Sequence, residues 1–266
     1  NNDIYRTETS VILVGVYDIE DSNSSMSLVP EHRSPSGNWS SNYFATAWFN
    51  HISGLWSANF TPTISAELGE YDIRVKVVDL DGGSREWSTY LDNVTVRNNY
   101  PEFINYTINQ SQVLRTESLI IWVDSHDTED SEYDHDIIVE TRSESGDWNS
   151  ELLTVSGYDY NSDNWKVNFT PMATSELGNY DIRIMVNDTN GASTGWSTYS
   201  DVVSVTNNNP SLSNYALSSS SVLRTSTITI GLNTTDAEDG ESSHTVVVQY
   251  RATSGGWQKG YLSTLW

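Results

Sequence analysis

The clearest pattern in the chain is a strict two-residue alternation over residues 180–186. Tyr180, Ile182, Ile184 and Val186 fall on one side, and Asp181, Arg183 and Met185 on the other. Successive side chains of a strand point to opposite faces, so this pattern predicts a half-buried β-strand. The same alternation recurs at Tyr71, Ile73, Val75 and Val77 against Asp72, Arg74 and Lys76. Its surroundings recur too. Asn59-Phe-Thr-Pro and Asn168-Phe-Thr-Pro open the two copies, a shift of 109 residues (168 − 59). Trp39/Trp148, Trp56/Trp165, Trp87/Trp196 and Pro101/Pro210 keep that shift, and Arg6/Arg115/Arg224, Asp18/Asp127/Asp236 and Trp39/Trp148/Trp257 extend it to a third copy.

Within one copy the pattern predicts seven short strands. They are A (Pro101–Ile108), B (Leu119–Val123), C (Asp136–Arg142), C′ (Leu152–Gly157), E (Trp165–Phe169), F (Tyr180–Val186) and G (Tyr199–Thr206). On strand B, Leu119, Ile121 and Val123 share a face; their counterparts are Ser10, Ile12 and Val14, then Ile228, Ile230 and Leu232. No segment has a helical period. About seven strands in roughly a hundred residues, separated by turn signals, predict an all-β chain of antiparallel sandwiches. A period this long exceeds the roughly 20–50 residues of solenoid units, so beads on a string are expected. The boundaries are 1–99, 100–208 and 209–266. The first copy lacks strand A and the third stops near C′, so half a sandwich is expected at the end, completed by further chain or by another subunit.

Leu68-Gly-Glu-Tyr71 and Leu177-Gly-Asn-Tyr180 resemble the tyrosine corner before strand F of immunoglobulin-like and fibronectin type III domains. The Val-x-Val-x-Asn-Asn-x-Pro junctions at Val94–Pro101 and Val203–Pro210 are similar to those of cadherin-like and bacterial or archaeal Ig-like surface repeats. The chain has no cysteine, unlike antibody domains. The resemblance implies tandem Ig-like sandwiches and an extracellular, cell-surface setting.

Composition narrows the function. The net charge is −23, with 13 Lys and Arg against 36 Asp and Glu, which leaves no basic face for nucleic acid or an anionic membrane. Lys76, Lys166 and Lys259 are the only lysines, as suits a salty environment. No apolar run approaches the roughly 20 residues of a membrane helix. Sequons at Asn23, Asn38, Asn93, Asn105, Asn109, Asn187 and Asn233, with those at Asn59 and Asn168, point to an exported glycoprotein.

Two acidic constellations repeat. Asp18, Glu20 and Asp21 correspond to Asp127, Glu129 and Asp130 and to Asp236, Glu238 and Asp239; Asp79 and Asp81 correspond to Asp188 and Asn190. In an Ig-like sandwich the loops after strands B and F meet at the end where the preceding linker enters. Carboxylates converging there repel by about 3 kcal/mol per pair at ~5 Å and an effective dielectric near 20. A hard cation relieves that, and the oxygen-rich set suits calcium. Solvated polar turns are the alternative. Carboxylates repeated in every copy do not mark a single active site, and no nucleophile–His–acid set or phosphate loop occurs, so no enzyme is expected.

Recurring tryptophans are read as core or half-core positions, and Trp48 and Trp122, which have no counterparts, as surface candidates for sugar stacking. Arg33/Arg142/Arg251 and Arg6/Arg115/Arg224 are read as strand-edge ion pairs. His135 and His244 are equivalent to Met26, which implies a packing or surface role. The expected function is an extracellular structural protein: a filament, sheath, stalk or surface-layer segment whose partners are copies of itself. A glycan-binding adhesin, or spacers of a secreted enzyme, is the alternative.

Overall fold

The computed structural model describes residues 2–259. The first copy contains β1 (Asn2–Tyr5), β2 (Ser10–Val14), β3 (Ser27–Arg33), β4 (Trp48–Asn50), β5 (Leu55–Phe60), β6 (Gly69–Val78) and β7 (Ser88–Arg97). The second contains β8 (Glu102–Ile108), β9 (Gln112–Leu114), β10 (Leu119–His126), β11 (Asp136–Ser143), β12 (Leu153–Asp159), β13 (Asn164–Phe169), β14 (Gly178–Asn187) and β15 (Ser197–Thr206). In the third, β16 (Ser211–Leu217) pairs with β17 (Ile230–Thr235).

The second copy is a two-layer sandwich, with sheet order β12-β13-β10-β8 facing β11-β14-β15-β9. The alternation read from sequence is the alternation that is buried. Ile182, Ile184 and Val186 of β14 meet Leu119, Ile121 and Val123 of β10, with Val167 and Phe169 of β13 filling the layer between. The first copy follows the same plan, with β1-β7-β6-β3 over β2-β5-β4. There β2 has no strand on its outer edge, and Val11 and Leu13 remain exposed.

Three assignments differ from the sequence reading. The strand expected as C′ is β12, and it pairs with β13 rather than with β11, so it belongs to the opposite sheet and is strand D of an A-B-E-D layer. A short strand, β9, runs parallel to β15 in front of strand B and has no period-2 signature long enough to read. In the third copy, residues 245–249 form no ladder, and Ile228 lies outside β17. Strand C pairs with strand F in the other copies (β3 with β6, β11 with β14). Among the described residues of that segment in the third copy, Tyr250 bridges Gln258.

The tyrosine corner forms in both copies. Tyr180 Oη donates to the Glu176 carbonyl at 3.0 Å and Tyr71 Oη to the Glu67 carbonyl at 2.9 Å. Gly178 and Gly69 sit two residues earlier at φ of 121° and 125°, a region closed to residues with a Cβ. Opposite the corner, β15 bulges at Asp201, whose φ is 55°. Asp181 Oδ1 accepts the Asp201 N–H at 3.0 Å, and Asp72 accepts that of Asp92 at 2.9 Å in the first copy. A carboxylate thus replaces the ladder partner that the bulge removes.

Replacing Tyr180 with Phe removes the corner bond while leaving the ring in place, and is expected to cost about 1 kcal/mol. Urea unfolding measures this; an unchanged midpoint would mean the corner hydroxyl contributes nothing.

Candidate inter-repeat junction

Asp127 begins the loop after β10 and folds it around its own side chain. Its Oδ1 accepts the N–H of Glu129 at 2.7 Å and of Asp130 at 3.1 Å. Asp18 holds Glu20 and Asp21 in the same way, and Asp236 holds Glu238 and Asp239. The repeated spacing therefore encodes an Asx-type turn in all three copies. The turn aims Glu129 back at the linker. Its two oxygens accept the Asn99 N–H at 2.9 Å and the Asn99 side-chain amide at 2.7 Å, while Arg6 Nη1 lies 3.8 Å away. The Glu129 side chain is 2% exposed.

Asn99 Nδ2 also donates to the Arg6 carbonyl at 3.1 Å. Arg6 Nη1 reaches Asn98 Oδ1 at 3.4 Å, and Asn98 Nδ2 donates to Asp188 Oδ2 at 2.6 Å. Two side chains of the second copy and one arginine of the first thus grip a two-asparagine linker. The next junction repeats the core of this arrangement: Asn208 N–H donates to Glu238 at 2.9 Å and Asn208 Nδ2 to the Arg115 carbonyl at 2.8 Å.

The two loops are tied to each other as well. Asp130 accepts from Thr189 Oγ1 at 2.8 Å and from Asn190 Nδ2 at 3.5 Å. Asp188, nearly buried, accepts the N–H groups of Asn190 and Ala192, both at 2.8 Å. The structure therefore brings Asp127, Glu129, Asp130, Asp188 and Asn190 to one end of the second sandwich beside Asn98 and Asn99. In the first copy, Asp21 accepts the Leu80 N–H and Asp79 that of Gly83, while Glu20 and Asp81 are exposed.

Among the described residues, no three His, Cys, Asp or Glu side chains are grouped so as to hold a metal ion. Most carboxylate oxygens here already accept N–H groups. Among the described residues, the buried side-chain atoms without partners are His32 Nδ1 in the first copy, Asp127 Oδ2 and His135 Nε2 in the second, and Glu238 Oε2 and His244 Nε2 in the third. His135 Nδ1 is satisfied by Ser125 Oγ at 2.8 Å and His244 Nδ1 by Thr234 Oγ1 at 2.7 Å. Burial pushes the Glu129 carboxyl above its ordinary range, against the opposing pull of the Asn99 donors, and the Asp127 charge pushes the same way. Backbone N–H donors hold Asp18 and Asp236 below theirs.

The recurring aromatics divide into two groups. Trp56 and Trp165 pack at the sandwich edge and anchor the loop after strand B, each indole N–H donating at 2.8 Å to the carbonyl of Asn23 or Glu132. Trp39, Trp87 and Trp148 are half-buried and Trp196 and Trp257 exposed, and none of them belongs to the buried core. Arg74 sits between Trp39 and Trp87, 4.3 and 4.2 Å from the ring centres, and Arg183 between Trp148 and Trp196 at 4.8 and 4.1 Å. These arginines pair with Glu31 and Glu140, and Arg33 and Arg142 with Asp72 and Asp181. The β-strand alternation places the arginines on the outward face, and the tryptophans reach them from the loops after β3 and β11 and from the residue before β7 and β15. Arg6 and Arg115 are not strand-edge ion pairs of that kind. Each donates through Nε at 2.8 Å to a backbone carbonyl, Ala66 or Ser175. Trp48 is exposed and Trp122 half-buried. Of the sequons, Asn38, Asn105, Asn109 and Asn233 are exposed, and Asn23, Asn93 and Asn187 half-buried.

No protein-family model matches the chain, and no curated protein matches it. Solved structures similar to it include the titin Z1Z2 domains in complex with telethonin (12% identity, covering 78% of this chain and 92% of that one, TM-score 0.38). The full ectodomain of mouse nectin-like molecule 4 aligns at 8% identity over 96% of this chain and 81% of its own, TM-score 0.35. The Escherichia coli adhesin FdeC aligns at 14% over 88% and 70%, TM-score 0.30. The strand order itself, A-B-E-D against C-F-G with a parallel A′ strand, makes the second copy an Ig-like sandwich.

The raised Glu129 carboxyl carries a sign. A group whose folded pKa lies above its unfolded value adds stability at low pH that is lost as pH rises through the folded pKa. The melting temperature of the native chain relative to Glu129→Gln is therefore expected to rise as pH is lowered from 8 to 4. Comparing the two proteins cancels the carboxylates they share. A difference that stays flat or shrinks on acidification contradicts the assignment.

Proposed function

We propose that the chain is a non-enzymatic structural segment of an extracellular or cell-surface protein: Ig-like sandwiches in series, held in a fixed relative orientation as part of a stalk, filament, sheath or surface layer. The observation that supports this reading is the hydrogen-bonded grip on the linker by Arg6, Glu129 and Asp188, renewed by Arg115 and Glu238 one period later. A linker free to bend would leave these donors and acceptors to water. A fixed joint transmits length and orientation along an array, as a load-bearing element requires. The acidic surface suits solubility in salt, and the exposed sequons suit glycosylation. The edges of β2 and β8 are places where neighbouring chains would pair.

The chain lacks cysteine, so two introduced cysteines, one on each of the first two copies, accept spin labels uniquely. The distance distribution between them is expected to be narrow and to broaden in Asn99→Ala and Glu129→Ala. A native distribution as broad as that of the variants defeats the reading.

A second reading, calcium at the junction, draws its support from Asp127 Oδ2, which is buried without a partner beside the carboxylate of Glu129. Asp127 and Asp130 would supply oxygen donors, with backbone carbonyls and water completing the shell. It predicts a higher melting temperature in calcium than in chelator, with the difference abolished by Asp127→Ala and Asp130→Ala. Persistence of the difference in both variants excludes this site.

A further inference from the structure

At the tip of the β12–β13 hairpin, beside the loop after β10, three tyrosines lean on one another and on Trp165. Ring centres lie 5.2 Å apart for Tyr158–Tyr160, 6.1 Å for Tyr133–Tyr160, 6.3 Å for Tyr133–Tyr158 and 5.8 Å for Tyr158–Trp165. The rings meet tilted or edge to face, so each turns part of a π-face outward. Tyr160 is 75% exposed and Tyr133 48%. Exposure of this kind is unusual for a contiguous aromatic cluster on a folded surface. The group is also particular to the second copy. The first copy has Phe49, His51 and Trp56 at the positions of Tyr158, Tyr160 and Trp165, but Ser24 at that of Tyr133.

The surroundings are acidic. Tyr158 Oη donates to Asp163, and the charges of Glu132 and Asp124 act on the same phenol. His126 is the facing group that becomes cationic on protonation, and it pairs with Glu132 at 3.1 Å. Elsewhere this chain finishes the same combination of ring and carboxylate with its own cation. Trp39, Trp87, Trp148, Trp196 and Trp257 each carry a guanidinium or ammonium over the ring, and the arginines there pair with acids in the first two copies. Among the described residues, no Lys or Arg lies over the tyrosine cluster. It is the ring-and-carboxylate half of that arrangement without the cation.

We propose that Tyr133, Tyr158 and Tyr160, with Asp163 and Glu132, form a docking site for a Lys or Arg side chain on a basic segment of a partner protein. Arg6, Arg33, Arg74, Arg142 and Arg183 are already held by acids of this chain, and its net charge of −23 draws basic partners. Ring faces would take the cation and the flanking carboxylates its N–H groups. The site does not depend on the structural role proposed above.

The probe is an acetylated, amidated tetra-arginine peptide with Gly-Ser spacers, titrated calorimetrically into the full chain at low ionic strength. Tyr133→Ser with Tyr160→Ala should weaken binding about tenfold, as loss of a partly desolvated cation–π contact implies. Tyr133 and Tyr160 both changed to Phe should retain it, because the π-faces remain. Asp163→Asn, which tolerates the positive φ of 58° there, should weaken it severalfold. Ser24→Tyr with His51→Tyr should add a second, weaker site in the first copy. Equal binding by the native chain and the Ser/Ala variant would show that the peptide follows net charge alone and would overturn the proposal. So would loss of binding in the Phe variant, or displacement of the peptide by a neutral oligosaccharide.

Discussion

The strand-F ladder is the constraint on which each sandwich depends. In the second copy β14 pairs with β11 on one side and β15 on the other, and its inward residues supply the floor of the core. In the third copy the described residues form a smaller part of the same plan. There β16 pairs with β17, Tyr250 bridges Gln258, and Leu212, Tyr215 and Val247 are exposed. A two-stranded ribbon has no opposing layer against which to bury an apolar face. The C segment forms a ladder with F in the first two copies (β3 with β6, β11 with β14), and its sequence alternates as well in the third.

The outward face of the same ladder is organised by charge. Arg74 and Arg183 project from F and are covered on both sides by indole rings and held by a glutamate from strand C. Individual exposed ion pairs stabilise little. Interleaving them with tryptophan faces shields each guanidinium from water and lends the sheet a stiff outer surface. Two residues earlier on F, the aspartates serve a backbone need as well, capturing the N–H freed by the bulge in G. A single strand thereby fixes the core, the surface stack and the bulge through alternate side chains.

The acidic repeat serves the joint between sandwiches through ordinary hydrogen-bond chemistry. The leading aspartate of each triplet closes its own turn, which leaves the following glutamate free to reach backwards. Glu129 and Glu238 bind asparagine, and Glu20 of the first copy is exposed. One turn encoded three times thus gives a grip at each of two junctions.

Much of this was written in the sequence. The alternation of Tyr180, Ile182, Ile184 and Val186 determined strand F, its buried face and the all-β class, because period-2 patterning is a local property of the chain. The repeat spacing likewise put Asp127, Glu129 and Asp188 near Asn98 and Asn99 before any coordinates, since loops at one end of a sandwich must meet. Local pattern was silent on partners. Leu153–Asp159 reads as a strand either way, and only the tertiary structure paired it with β13 instead of β11. Recurrence and aromaticity are shared by core and surface positions, so pattern did not separate the buried Trp56 from Trp39, Trp87, Trp148 and Trp196. Their place over arginines depended on which side of the sheet faced water. Residues far apart in sequence, such as Tyr133 and Tyr160, became one cluster because folding brings the loop after β10 against the hairpin tip, a proximity that no spacing along the chain records.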